Sequence, residues 1–326
     1  MRKRLSLSAY LEGILSGDRV VLSQAITLTE SSRADDRELA DRLLEAILPH
    51  TGKAMRLGIT GAPGVGKSSF IEAFGTYLTA QDYRVAVLAI DPSSRQSGGS
   101  ILGDKTRMET LARNPSAYIR PTPSGLTLGG VARQTRETLL LCEAAGFDII
   151  LIETVGVGQS ETEVRDMTDC FFLLLLAGAG DGLQGVKRGI MELADFLLIT
   201  KDDGDNRTRV ETARRDYAHA LHFLAPPASG WTVPVLPCSV FQEESIQNIW
   251  KQTEEYLSFI QKNGFFSAQR ERQNLSWMHA FIRQQLEAQF YANPLIQRRL
   301  QDLEEQVRRG TIPPLTAAKR LFSAEI

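Results

Sequence analysis

Residues 61–68 read Gly61-Ala62-Pro63-Gly64-Val65-Gly66-Lys67-Ser68, between a short apolar run, Arg56-Thr60, and an amphipathic stretch, Lys67-Ala80. The pattern G-x-x-x-x-G-K-[ST], directly after a strand and opening a helix, demands a strand that delivers its loop to a helix N-terminus. The glycines let backbone N–H groups close around phosphate oxygens. Lys67 reaches the β and γ phosphates, and Ser68 gives its hydroxyl to magnesium. Ser69 belongs to the same loop-to-helix junction. An ordinary glycine-rich turn gives no reason for the Lys-Ser pair.

Around this loop is a chain of 326 residues, long enough for a large core with attached helices. Apolar residues make up 43% and charged residues 23%, so disorder and fibrous classes are excluded. Net charge is −2, which provides no basic field for nucleic acid or anionic lipid. The longest apolar run, Cys170 to Ala177, is far shorter than the roughly 20 residues a membrane helix needs. Cys142, Cys170 and Cys238 are dispersed in apolar stretches, which fits neither a disulfide framework nor a zinc ribbon and points to a reducing cytoplasm.

Periodicity divides the chain into three zones. Residues 1–53 carry Leu, Ile and Val at helical spacing, a helical prefix expected to pack on the adjoining domain. From 54 to 263, short apolar runs alternate with amphipathic ones. Strands are expected at Arg56-Thr60, Val85-Ile90, Ala117-Arg120, Ile149-Glu153, Phe171-Leu176, Phe196-Thr200 and Val233-Pro237. Helices are expected at Lys67-Ala80, Leu128-Ala145, Arg207-Phe223 and Ser245-Lys262. Nearly all-apolar strands joined by helical crossovers make a doubly wound, mostly parallel α/β sheet. The tail, 264–326, has no strand signal. It repeats apolar residues at Leu275, Met278, Ile282, Leu286 and Phe290, and again at Ile296, Leu300, Leu303 and Val307, with Pro294 and Pro313-Pro314 expected to end its segments. On periodicity alone this tail reads equally as a dimer arm, wet on the face of Arg270, Arg272, Arg283 and Glu287, or as helices folded back on their own domain.

Further motifs fall at strand ends. Glu153 closes an apolar strand and is followed by Thr154-Val155-Gly156, so its carboxylate can face magnesium or its waters while the Gly156 amide approaches a γ-phosphate. An acid ending a strand can also be a solvated terminus. Asp91-Pro92-Ser93-Ser94 and Asp104, near Gly98, Gly99 and Gly103, suit loops ordered by phosphate and magnesium. On local grounds they read equally as a surface turn and a helix N-cap. Lys201-Asp202-Asp203 follows a strand as Lys-x-Asp does in guanine-binding proteins, where the Lys stem stacks on the base and the Asp accepts from N1 and N2. Thr200 stands where Asn is usual, and by itself Lys-x-Asp can be an exposed charged turn. Cys238-Ser239 occupies the place of the loop whose backbone N–H meets guanine O6.

Taken in order, the phosphate loop, Asp91-Pro92-Ser93-Ser94, Glu153-Thr154-Val155-Gly156-Val157-Gly158-Gln159-Ser160-Glu161 and Gly178-Ala179-Gly180-Asp181-Gly182-Leu183-Gln184-Gly185 resemble the MeaB/ArgK family of P-loop GTPases over most of the chain. The resemblance implies GTP/GDP and Mg2+ as cofactors. It implies a homodimer built from C-terminal helices, acting as a GTPase chaperone that protects or reactivates adenosylcobalamin-dependent methylmalonyl-CoA mutase and gates cofactor delivery. Magnesium and switch positions carry over to Ser68, Asp91, Asp104 and Glu153, and a family-specific segment to Asp181 through Gly189, including Gln184 and Lys187.

Two other functions are weighed against this one. An ATP-dependent kinase of a periplasmic amino-acid-binding transport protein conflicts with Lys201-x-Asp203 and lacks a recognisable substrate-hydroxyl base. A nickel or cobalt insertase would display Cys or His runs, whereas His50, His219, His222 and His279 are mostly dispersed. The base-reading acid yields a direct expectation. Asp203→Asn removes the paired acceptors for N1 and N2, so competition binding should show the preference for GTP over ATP relaxed, and an unchanged preference would remove Asp203 from the base site.

Overall fold

The apolar runs become β1 (Met55–Gly61), β2 (Val85–Ile90), β3 (Ala117–Thr122), β4 (Ile149–Glu153), β5 (Cys170–Leu176), β6 (Phe196–Thr200) and β7 (Val235–Cys238). The computed structural model describes residues 4–90, 108–122, 128–154, 160–178 and 188–322. Within them the strands form one sheet in the order β3-β2-β4-β1-β5-β6-β7. Every pairing is parallel. The expected sheet was mostly parallel; it is parallel throughout, because each connection crosses over through at least one helix.

Helices cover both faces. On the N-terminal side lie α1 (Leu7–Leu15), α2 (Arg19–Thr29) and α3 (Ala34–Ile47). Between the strands come α4 (Lys67–Ala80), α5 (Glu109–Arg113), α6 (Leu128–Ala144), α7 (Ser160–Arg165), α8 (Arg188–Leu193) and α9 (Arg207–Leu221). After β7 come α10 (Glu243–Lys262), α11 (Phe265–Ala292), α12 (Pro294–Arg308) and α13 (Pro314–Phe322). The short α5, α7 and α8 carry too few residues for a helical period to register in sequence.

Strand alternation divides the core. Leu57, Ile59, Val85, Val87, Ile149 and Leu151 pack with Phe70 and Phe74 of α4 and Trp250 of α10. Ala86, Leu88, Ile150 and Ile152, one residue out of phase, meet Tyr10, Ile14, Leu22, Ile26, Leu43 and Ile47 of α1–α3. Burial of each such side chain stabilises by about 1.5–3 kcal/mol. The prefix is therefore one wall of the core, as expected of a helical segment packed on the sheet. A third cluster joins Leu173, Leu175, Leu197 and Ile199 to Val210 and Tyr217 of α9. All three cysteines are free and buried.

The chain divides into two units, Met1–Gln273 and Asn274–Ile326. Periodicity starts the tail at 264, yet its first helical turns belong to the first unit, for a polar reason. Gln269 Nε2 and Gln273 Nε2 donate to Thr168 O at 2.7 and 2.8 Å. Arg270, expected on a solvated face, is held at 2.7 Å by Asp169 and also donates to Gly52 O and Ala54 O. Burial tends to lower the Arg270 pKa, but the Asp169 carboxylate raises it overall.

In the second unit, Ile296, Leu303, Ala317 and Leu321 form a small core with Phe290, Leu300 and Val307. Pro294 and Pro314 begin α12 and α13, where a proline in the first turn has no N–H to leave unpaired, and α11 and α12 end ahead of them at Ala292 and Arg308. Asn293 caps α12 by accepting from Leu295 N–H at 2.9 Å. Leu275, Met278, Ile282 and Leu286 are 50%, 49%, 44% and 61% exposed.

One buried carboxylate makes stability depend on pH. Glu137 of α6 is 3.1 Å from Arg133 on its own helix and 3.8 Å from Arg37 of α3. Burial pushes its pKa up to about 7, with Arg37 opposing and Asp41 adding to the rise. The folded state thus holds a proton that the unfolded chain has released, so this group's stabilisation is complete below about pH 4.5 and is lost as pH rises through about 7. Urea midpoints measured across this window should fall less steeply for Glu137→Gln than for the wild type. Equal slopes would show that Glu137 does not titrate in the folded chain.

Candidate active site

The expected residues that fall within the described segments gather at the C-terminal edge of the sheet, around the end of its central strand. β1 stops at Gly61, whose φ is +150° and where a Cβ would lie 2.5 Å from Leu174 O of β5. Only glycine lets the chain turn away this close to its neighbour. Val65 N–H then donates to Ala62 O at 3.2 Å, the Val65 side chain is buried, and Gly66, with φ +104°, is the N-cap of α4. No side chain caps this helix, so its first N–H groups face the loop that the motif reserves for an anion. Ala62, Pro63, Gly64 and Ser69 are exposed around it.

Lys67 is 9% exposed, and its Nζ donates to Gly61 O at 2.7 Å and Ala62 O at 3.3 Å. Burial lowers its pKa, while the carboxylates of Glu153 and Glu161 pull it back up. Glu161, in the first turn of α7, is buried, and sequence reasoning assigns it no role. Its signal is a place downstream of Glu153 in the same motif, which spacing alone does not convert into proximity to Lys67.

Ser68 and Glu153 come together as expected. Ser68 Oγ donates to Glu153 Oε1 at 3.1 Å, across two strand ends that the β1–β4 register sets side by side. Beneath them Thr154 Oγ1 and Thr60 Oγ1 are 2.8 Å apart, and Thr154 N–H donates to Ile59 O.

The residues expected to read a base form two laced loops beyond β6 and β7. Lys201 is exposed and left-handed, with φ +61°, and its carbonyl accepts from Asn206 Nδ2 at 2.8 Å. Asp202 N–H donates to Cys238 O at 3.1 Å, and Asp203 is half-buried. Ser239 is buried and forms its own turn: its N–H donates to Ser245 Oγ at 3.1 Å and its Oγ accepts from Phe241 N–H. Thr200 Oγ1 donates to Val65 O at 2.7 Å and lies 3.1 Å from Leu175 O, a link between loops that sequence reasoning missed. Asp91, Asp104, Gly156, and Asp181 through Lys187, Gln184 included, lie outside the described residues.

The methylmalonyl Co-A mutase-associated GTPase MeaB family model matches residues 22–295. This chain belongs to that family. It is 50% identical over 320 residues to a putative GTPase of Caulobacter vibrioides, with 98% of each chain covered. It is 44% identical to the GTPase ArgK of Escherichia coli over 98% of this chain and 97% of that protein. The solved structure of a LAO/AO transport system kinase superposes with a TM-score of 0.78 at 38% identity, covering 98% of both chains. The MeaB-family chain is thus a GTPase on a P-loop α/β fold, as the resemblance implied. Among its described residues no helix is long and apolar enough to cross a membrane, and no three His, Cys, Asp or Glu side chains group to hold a metal.

Lys67, which the motif assigns to the β and γ phosphates, is buried and tied to two loop carbonyls. Lys67→Ala should still lower GTP hydrolysis roughly a hundredfold or more, the cost of losing one preorganised group facing developing charge. Near-wild-type turnover in a variant whose circular dichroism is native would remove Lys67 from the phosphate site.

Proposed function

We propose that this chain is a magnesium-dependent GTPase chaperone in the cytoplasm that binds adenosylcobalamin-dependent methylmalonyl-CoA mutase, protects or reactivates it, and gates its cofactor loading. The family description, with its mutase association, supports the partner. The Ser68–Glu153 bond at the mouth of the phosphate loop is the structural observation that carries the nucleotide chemistry. Two hard oxygen donors in contact suit Mg2+, and Ser68 and Glu153 would hold it with Asp91 and Asp104. When bound, magnesium neutralises charge developing on the phosphoryl oxygens.

The chain's own groups supply the rest. Gly61 to Ser69 wrap the phosphates with backbone N–H groups, and the Lys67 ammonium faces the β and γ oxygens. The Gly156 amide would serve the γ-phosphate. Lys201 stacks its stem on guanine, Asp203 accepts from N1 and N2, and the turn at Ser239 offers an amide to O6. Catalysis of this kind is positioning and electrostatics, so turnover stays low until a partner reorders the loops. The segment Asp181 to Gly189 couples nucleotide state to the mutase. The arm, 264–326, pairs two copies through the exposed stripe Leu275, Met278, Ile282 and Leu286, burying it against its mate as closed two-fold assemblies do.

With purified mutase, Gln184→Ala should keep basal hydrolysis and lose most of the stimulation; equal stimulation of both proteins would end the coupling role. Preference for ATP over GTP would favour the kinase activity for which the similar solved protein is named. For the dimer, truncation belongs after Gln273, which leaves Gln269 and Arg270 on Thr168 and Asp169. Light scattering should then report a monomer that binds GTP, and a persistent dimer would exclude the arm as the interface.

A further inference from the structure

We propose that the cleft between the helical prefix and the edge strand β3 is a binding site for a small organic carboxylate with an apolar body. The cleft holds about 720 Å³ and is lined from the start of the prefix, α1, α2, β3 and α5. That volume is within the range of small-molecule sites. β3 is the edge of the sheet, with β2 and β4 between it and β1, so this cleft is separate from the phosphate loop.

Its walls are fixed by polar ties within the prefix and from the prefix to the sheet edge. Arg4 donates to both carboxylate oxygens of Asp36, at 3.0 and 2.7 Å. Arg120 of β3 donates to Glu30, the C-cap of α2, at 2.6 Å. Ser23 Oγ gives its proton to Arg19 O at 2.8 Å, so Tyr118 is the donor across the 3.1 Å contact between the Tyr118 and Ser23 hydroxyls. Walls held in this way keep their shape before anything binds, which lowers the ordering cost of a ligand.

Three guanidiniums line the cleft, and two are answered by carboxylates, Arg4 by Asp36 and Arg120 by Glu30. Arg19 is the third. Among the described residues no carboxylate is within ion-pair reach of it; it donates to Ala117 O and lies 5.9 Å from the centre of the Tyr118 ring. The neighbouring Asp18 spends its carboxylate on α2, accepting from Val20 and Val21 N–H. A guanidinium carries five donors, so Arg19 keeps enough of its fork to receive a carboxylate. Gln24 adds a carboxamide, and Leu5, Tyr10, Val20 and Ile119 add apolar surface, of which Val20 is 66% exposed. One unanswered positive charge beside apolar walls selects a monoanion with an apolar body. Phosphate, with more than one charge at neutral pH and no apolar part, matches neither feature.

Calorimetric titration of the full chain, with GDP and magnesium saturating the phosphate loop, tests this with benzoate, hexanoate, their amides and inorganic phosphate. Both acids should bind, and benzamide and hexanamide should bind about tenfold more weakly, the effect of losing a charge-assisted hydrogen bond. Arg19→Gln should weaken both acids to the level of their amides. Val20→Asp sets a like charge at an exposed position of the cleft and should also repel the acids with Arg19 in place, so it decides the matter if the Arg19 variant fails to fold. Neither substitution touches the phosphate loop, and GTP hydrolysis at the wild-type rate reports an intact fold. Equal binding of acid and amide, acid binding that survives both substitutions, phosphate binding tighter than either acid, or no binding of either acid up to about 10 mM overturns the proposal.

Discussion

The nucleotide edge of this molecule depends on β1 being hydrogen-bonded on both sides, to β4 and to β5. Connections leave β1 towards β2 and return through β4, then run on the other side from β5 to β7, so the crossovers diverge at β1 and open a crevice beyond its C-terminal end. That topology delivers the phosphate loop from β1 and Glu153 from β4 to the same place. It also crowds Gly61 against Leu174 O, so the glycine that begins the motif is required by the sheet as much as by any phosphate. The register pairing Ile59 with Glu153 brings Ser68 within reach of the carboxylate, and a one-residue slip would turn Glu153 to the opposite face.

The opposite edge of the sheet carries a different polar load. Near the strand beginnings, Arg56 pairs with Glu143 at 2.8 Å, Asp169 with Arg270 at 2.7 Å and Arg165 with Asp195 at 2.8 Å, all largely buried. Asp169 also accepts from Arg56 N–H, and Asp195 from Phe171 N–H, so these acids cap strands as well as answering cations. Buried pairs of this kind add little net stability when intact, yet losing one partner costs about 3–5 kcal/mol. Their effect is to specify which strand end lies where. At the C-terminal edge, by contrast, the described residues around the end of β1 include the hydroxyl of Ser68, the ammonium of Lys67, the carboxylate of Glu153 and the backbone of the phosphate loop, groups that phosphate and magnesium chemistry uses.

Most of the sheet was legible because its strands are short, apolar and punctuated. Val85–Ile90, Ile149–Glu153 and Phe196–Thr200 begin and end where the residue pattern changes. The first strand of the site was legible for a second reason, a motif whose spacing only a strand–loop–helix unit can satisfy. Pairings across the sheet were not. Nothing in the residues around Thr200 announces Val65 O as its partner, since the two are far apart in sequence and their contact exists only after β1, β5 and β6 are side by side. Threonine reads in sequence as a departure from a motif; in three dimensions it is a donor within reach of the phosphate loop.

The tail shows the same division between local pattern and long-range contact. Its helices were legible from apolar spacing, and its prolines marked real boundaries, each opening a new helix after the previous one has ended. Where the tail joins the first unit was not legible, because periodicity assigns Arg270 to a polar face and polar faces are ordinarily solvated. Arg270 is polar for another reason: Asp169 is buried beneath it, and a buried carboxylate needs a cation with enough donors to satisfy it and the carbonyls alongside. Guanidinium, with a planar fork of five donors, meets that demand where lysine's ammonium, a point charge, does not. The start of α11 is thus specified by a polar contact that the amphipathic pattern of its own helix conceals.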